Sequence, residues 1–357
     1  MAERKEDIRL KKIRDSGGKL YSISRLNTMN QCPYQAYLKY VKKEEEKNKG
    51  IYGILGGTVH DCIEECIHGT KELKDIKIAI QQELNDIELF GIEFPKDRNG
   101  NTTIRDNWVS NMLRFSDEFN IPTGKIATEK LLIYQLDDKH YMMGYADAIK
   151  RNEDGSVWLI DWKSSSKYTG KHILEAGRQL IIYKLALEKM GYKVSRCSWC
   201  MMKYCETSWT LKNGKTKTKV TEWRNLIKDM SSNIEKSLSD LGYDEVDIEI
   251  MIDEGTQKNS WLVFPQEIQD KFTTKVYYQD YEITEDLIEE TLDYIKSIIN
   301  KFETYGECEA AYKSCNVEKE SFFCNALCGY GGKTGQCKYY VDFCNQFEKE
   351  DKNEDLF

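Results

Sequence analysis

Two stretches decide the reading of this chain: Gly144-Tyr145-Ala146-Asp147-Ala148-Ile149 and Leu159-Ile160-Asp161-Trp162-Lys163. Each is a short apolar run carrying one carboxylate. The second sets a lysine two residues after its acid. Strands over residues 141–150 and 156–163, joined at Asn152-Glu153-Asp154-Gly155, would pair antiparallel and bring Asp147 and Asp161 to one edge of a sheet. Residues i and i+2 of a strand share a face, so Asp161 and Lys163 look into one cleft. Two oxygen donors and an ammonium on one spot suit a hard cation, a phosphate and an attacking water.

Working outward, Gly57-Thr58-Val59-His60-Asp61 precedes the pair. Thr58 reads as the N-cap of a helix over residues 59–68, which puts His60 and Glu64 on one face. A neutral imidazole there can ligate a transition metal such as Mn²⁺. After the pair, residues 173–190 read as a helix closed by Gly191. Gln179 and Tyr183 lie one turn apart on it, able to hold a nucleic-acid backbone or orient the lysine.

In this order, Gly57-x-x-His60, Gly144-x-x-Asp147, Asp161-x-Lys163 and Gln179-x-x-x-Tyr183 resemble the RecB-family nucleases of the PD-(D/E)XK superfamily. Ser22-x-Ser24-x-Leu26 followed by Cys32-Pro33-x-x-x-Tyr37 is similar to the opening segment of that family. Ala146 stands where the superfamily name has proline. The resemblance implies an α/β, restriction-endonuclease-like core: a central mixed sheet flanked by helices, with a helical insertion and a C-terminal cysteine-rich segment. It implies Mg²⁺ or Mn²⁺ held by His60, Asp147, Asp161 and the backbone carbonyl of Trp162. Lys163 would orient or deprotonate the water, helped by a pKa pushed down beside cations. Asp147, Asp161, Lys163, Gln179 and Tyr183 form the expected catalytic set.

The chain has twelve cysteines. In a reducing compartment these point to metal ligation or burial rather than disulfides. Cys324-x-x-x-Cys328 and Cys337 flank a glycine-rich run, with Cys315 and Cys344 nearby. The resemblance extends to members with an iron–sulfur staple, the AddB-type and CRISPR adaptation nucleases, which take one cysteine ahead of the core and three behind. It implies a [4Fe–4S] cluster on Cys32, Cys324, Cys328 and Cys337, with Cys344 or Cys315 as substitute ligand. The gaps of three and eight residues depart from that pattern. Structural zinc on Cys324, Cys328, Cys337 and Cys344 competes.

The remaining chain bounds the answer. At 357 residues, with four prolines, the chain has ample material for a core. Residues 1–20 read as a loose, charged segment. Residues 21–305 read as the core, with an insertion over about 70–125. Residues 306–347 read as the cysteine-rich segment packed with Cys32, and 348–357 as an acidic tail. Ser24 is a possible N-cap for a helix over residues 26–43. The stretch 194–203 reads as a strand, and the last fifty residues show no clear period.

The net charge of −8 weakens a whole-surface case for nucleic-acid binding. Lys212, Lys215, Lys217 and Lys219, around the Asn213-Gly214 type I′ turn signal, form one local basic segment that could grip DNA. No signal peptide or membrane span is legible, so a cytoplasmic protein is expected, in the host cytoplasm if phage-encoded. Without a Walker A motif there is no ATPase motor. The protein would act alone or with a helicase, single-strand-binding or recombination partner. The expectation is a DNA exonuclease acting on ends or single strands in recombination, repair, phage or CRISPR-type processing. Alternatives are a structure-selective endonuclease or nickase, or a non-catalytic cysteine-stapled DNA-binding module.

Overall fold

The computed structural model describes residues 7–48, 50–96 and 99–354. In chain order the elements are α1 (Ile8–Asp15), β1 (Lys19–Tyr21), α2 (Ile23–Gln31), α3 (Pro33–Ala36), α4 (Ile51–Ile67), α5 (Lys74–Leu89) and α6 (Thr103–Glu118). Next come β2 (Lys125–Gln135), β3 (His140–Arg151), β4 (Val157–Lys163), α7 (Lys171–Lys189), β5 (Val194–Thr210) and β6 (Thr216–Glu222). The chain ends with α8 (Leu226–Asp240), α9 (Glu245–Lys258), α10 (Gln266–Lys271), β7 (Thr273–Asp280), α11 (Glu285–Tyr305) and α12 (Lys338–Glu354).

The seven strands form one mixed sheet in the order β1-β3-β4-β5-β6, with β2 on β3 and β7 on β5. The β1–β3 and β4–β5 pairs are parallel; the others are antiparallel. Strand β4 is buried on both faces, which explains its near-continuous apolar run. Val157 and Leu159 enter a core with Leu26, Leu180 and Ile295 of α2, α7 and α11. Trp158, Ile160 and Trp162 enter a second core with Val59, Phe115 and Ile227 of α4, α6 and α8. Helices therefore cover both faces, as the resemblance implied.

One break in the sheet positions the site. Along one edge of β3, β1 pairs as far as Met142 and β4 pairs from Ala148 onward. Between them, residues 143–147 meet neither strand. Asp147 is the last residue of that gap.

The 153–154 and 212–213 turns share one geometry. Gly155 N–H donates to the Asn152 carbonyl and Gly214 N–H to that of Leu211. Both glycines have positive φ, +81° and +78°, whereas Asn213 does not. These are type I turns closed by a glycine bulge, so the expected type I′ turn at Asn213-Gly214 is corrected.

Other expectations shift for identifiable reasons. The helix expected over residues 26–43 breaks at Cys32-Pro33, because proline removes an N–H and disfavours helix in the residue before it. Its N-cap is Ser22, which accepts from Arg25 N–H, and not Ser24. Helix α4 starts at Ile51, so Thr58 is internal. Its hydroxyl donates to Ile54 O and Glu83 instead of capping. Burial of Ile51 and Leu55 outweighs the helix cost of Gly53, Gly56 and Gly57. The charged N-terminal stretch contains α1, capped by Asp7, and β1. Strand β5 runs well beyond residue 203. Helix α12 crosses the boundary drawn at residue 348, and residues 1–6 and 355–357 lie outside the described residues.

Candidate active site

The carboxylates meet where β3 and β4 part. The Ala148–Ile160 pair is the last rung of the ladder. One step further, Asp147 Oδ2 accepts the Trp162 N–H at 2.8 Å. Lys163 Nζ lies 2.7 Å from Asp161 Oδ2. Helix α4 brings His60 Nδ1 to 3.6 Å from Asp147 Oδ2. The structure thus brings His60, Asp147, Asp161 and Lys163 together, with the Trp162 backbone between them.

Asp161 is 2% exposed, and neither of its oxygens has a partner of sound hydrogen-bond geometry among the described residues. Oδ2 faces the Lys163 ammonium at 2.7 Å, and Oδ1 is left open. A buried carboxylate with open lone pairs is costly unless a cation or a donor answers it. Asp147 is pushed well above the usual carboxylate range, by burial first and by the Asp161 charge second. Burial also pulls His60 down to about 4, reinforced by Lys163. The imidazole is therefore neutral at physiological pH, the form that ligates metals.

Burial pulls the Lys163 pKa down, but Asp161 and Asp147 outweigh that and hold it above the ordinary lysine range. The downward shift expected of a lysine beside cations belongs to a site that holds them. The protein's own charges here are carboxylates.

Helix α7 supports the site from the other layer. Gln179 Nε2 donates to Tyr183 Oη at 3.0 Å, and Tyr183 Oη donates to the Tyr145 carbonyl at 2.9 Å. That carbonyl lies in the strand gap. Tyr183 thus satisfies backbone that neither β1 nor β4 reaches and holds β3 two residues before Asp147. Gly144 makes this possible, since a Cβ there would sit 2.4 Å from Tyr183 Oη. Gly56 plays a related part: its Cβ would meet Ser164 Oγ at 3.2 Å, so α4 runs close to the end of β4. The structural duty of Gly144 was missed in the sequence. The available signal was a glycine inside a strand, which marks close approach. Glu64 shares a helix face with His60 but accepts from Thr128 Oγ1 at 2.8 Å.

The donors suit an oxygen-preferring divalent ion: two carboxylates, a carbonyl and a neutral imidazole. Among the described residues, no three His, Cys, Asp or Glu groups are already arranged around one point as metal ligands. The Lys163 ammonium takes the position beside Asp161 instead.

The cysteines converge from both chain ends. Cys32, Cys324, Cys328 and Cys337 line one narrow cavity, each less than a tenth exposed. Burial pushes Cys328 up to about 12 and Cys337 upward. Cys315 Sγ lies 3.7 Å from Cys324 Sγ, and its N–H donates to Cys32 Sγ at 3.5 Å. Cys344, on α12, does not line the cavity. Lys212, Lys215, Lys217 and Lys219 lie on the β5–β6 hairpin, past the end of β4. Lys212 pairs with Asp240 at 2.8 Å, and Lys219 Nζ donates to the Asp229 carbonyl. No helix among the described residues is long and apolar enough to cross a membrane.

No curated protein matches the chain. The crystal structure of SSO0001 shares 16% identity, covering 70% of this chain and 84% of its own, at a TM-score of 0.22. The PD-(D/E)XK nuclease superfamily matches residues 21–319, through every element that builds the site. With its restriction-endonuclease-like α/β core, the chain belongs to the PD-(D/E)XK nuclease superfamily, the nucleases that act with divalent metals such as Mg²⁺.

Proposed function

We propose that this protein is a Mg²⁺- or Mn²⁺-dependent DNA exonuclease working on ends or single strands. The observation that carries the hydrolytic reading is Asp161: a buried carboxylate ion-paired through Oδ2 with Lys163 and with Oδ1 left open. His60, Asp147, Asp161 and the Trp162 carbonyl would hold the metal. A divalent ion there supplies Lewis acidity and a water of lowered pKa. Asp147 stays in place through the Trp162 N–H and through Tyr183 on the neighbouring backbone. The Lys163 ammonium is placed to orient the water and balance charge that builds on the phosphate. Gln179 and Tyr183 act as positioning residues for β3. Preference for ends, and a role in recombination, repair or CRISPR-type processing, rest on the motif order shared with RecB-like nucleases.

The shared lining of one cavity by Cys32, Cys324, Cys328 and Cys337 supports a [4Fe–4S] site over zinc on a set that includes Cys344. Four thiolates from both ends of the chain would clip the fold closed.

The test digests linear and closed circular DNA with Mg²⁺ or Mn²⁺. Linear DNA should be degraded and closed circles spared. Asp161→Asn should lose essentially all activity, and Lys163→Met about 10²–10⁴-fold, with unchanged circular dichroism. Cleavage of closed circles would favour an endonuclease. Equal activity in wild type and Asp161→Asn would sink the catalytic reading.

A further inference from the structure

The net charge of −8 leaves few places where a polyanion can touch down. One groove, of about 470 Å³, concentrates positive charge. It lies between the β5–β6 hairpin, α8 and the end of α10. Lys212 and Lys217 enter it from the hairpin, Lys236 from α8 and Lys271 from α10. Asn213 and Asn233 add neutral amide donors. Asp240 is the single carboxylate in the lining. It is paired to Lys212 at 2.8 Å, which leaves the other three lysines in excess. Lys271 is held by the buried Ser237, Nζ to Oγ 2.8 Å. Among the described residues, Lys217 and Lys236 have no carboxylate within ion-pair distance.

The groove lies with Trp209 on the α8 face of the sheet, whereas Asp161 and Lys163 lie on the face of Leu159, and strand β5 relates the two along its length. Lys163 pairs with Met201 of β5, parallel, so β5 continues past the site in the direction β4 was running. From Met201 to Thr210, where the hairpin closes, an extended strand covers up to about 30 Å. A duplex rises 3.4 Å per base pair, so this upper limit corresponds to about nine base pairs at most, less the shortening at the register shift between Cys200 and Cys205.

We propose that the Lys217–Lys236–Lys271 groove is a second anchor for nucleic-acid backbone phosphates, setting a minimum useful substrate length. The proposal rests on the nuclease reading for its substrate. It assigns contact to Lys236 and Lys271 as well as to the hairpin, while Lys219 is spent on the Asp229 carbonyl.

The experiment measures binding by fluorescence anisotropy, so it does not depend on turnover. Fluorescent duplexes of about six and about fourteen base pairs are titrated with the Asp161→Asn chain, alone and carrying Lys217→Glu/Lys236→Glu, across a salt series. The parent should bind the longer duplex at least tenfold more tightly, and the double reversal should erase that gain. The slope of log affinity against log salt should fall by about two, at about 0.9 per lost phosphate contact. Lys296→Glu/Lys301→Glu on α11 makes the same change in net charge outside the groove and should keep the gain. Loss of the gain in both double variants, or in neither, would overturn the proposal. If wild type cleaves no DNA yet the groove variant alone loses binding, the anchor stands and the nuclease reading fails.

Discussion

At the residue scale the site depends on a glycine as much as on its acids. Gly144 leaves the space that Tyr183 fills, and Tyr183 satisfies the Tyr145 carbonyl in the gap of the sheet. Gly144→Ala should destabilise the fold by about 1–3 kcal/mol through overpacking. It should also lower activity, because β3 shifts next to Asp147. Tyr183→Leu alone loses the hydroxyl contact, but it removes the ring that clashes. Urea melts of the two singles and the double should therefore give a double-mutant loss smaller than the sum of the singles. Additive losses would mean that Gly144 and Tyr183 act separately. The motif residues Gly144, Asp147, Asp161 and Lys163 were legible because strand period and turn residues are local properties. The partnership of Gly144 with Tyr183 was not, since it links residues on different elements that only the folded sheet brings together.

At the element scale, several elements are held by long-range contacts to α11. His140 opens β3 and sits between Asp137 at 2.9 Å and Glu303 of α11 at 3.1 Å. Lys19 of β1 reaches the same Glu303 at 2.5 Å. Burial pulls the imidazole down, but the two carboxylates outweigh it and raise its pKa above the ordinary value. The folded state therefore binds this proton more tightly than the unfolded chain. The stabilisation is fully present below the unfolded histidine pKa of about 6.5 and fades as pH rises through the raised folded value. Urea midpoints of wild type and His140→Gln should differ most near pH 5.5–6 and converge above pH 8. A constant gap across that range would show that the ring acts by packing alone.

Element boundaries followed the same logic. Proline at residue 33 was visible in the sequence, yet the helix over it was expected to continue. Helix α4 absorbed three glycines because its apolar face is buried, which a local reading undervalues.

At the scale of the whole molecule, the N-terminal and C-terminal segments share one cavity of cysteines. Cys32 lies at the α2–α3 junction and its three counterparts lie beyond α11. If this site holds a [4Fe–4S] cluster, anaerobically purified protein should be brown, with about four irons per chain. Cys328→Ala should lose the iron and melt at lower temperature, because the clip contributes directly to folding. Cys344→Ala should change neither. Colourless protein with one zinc would overturn the cluster assignment.

The sequence by itself determined the β3–β4 hairpin with its two acids and lysine and the order of the supporting motifs, and the resemblance carried by those motifs implied the α/β class. The hairpin follows from local periodicity, turn residues and side-chain chemistry. Only the tertiary structure decided where β3 goes unpaired, which face of α7 fills that gap, that the carboxylates raise the pKa of Lys163, and that Cys32 rather than Cys344 joins the thiol cavity. Each of these depends on the distance between groups far apart in the chain, and on the water excluded when they meet. Packing sets both.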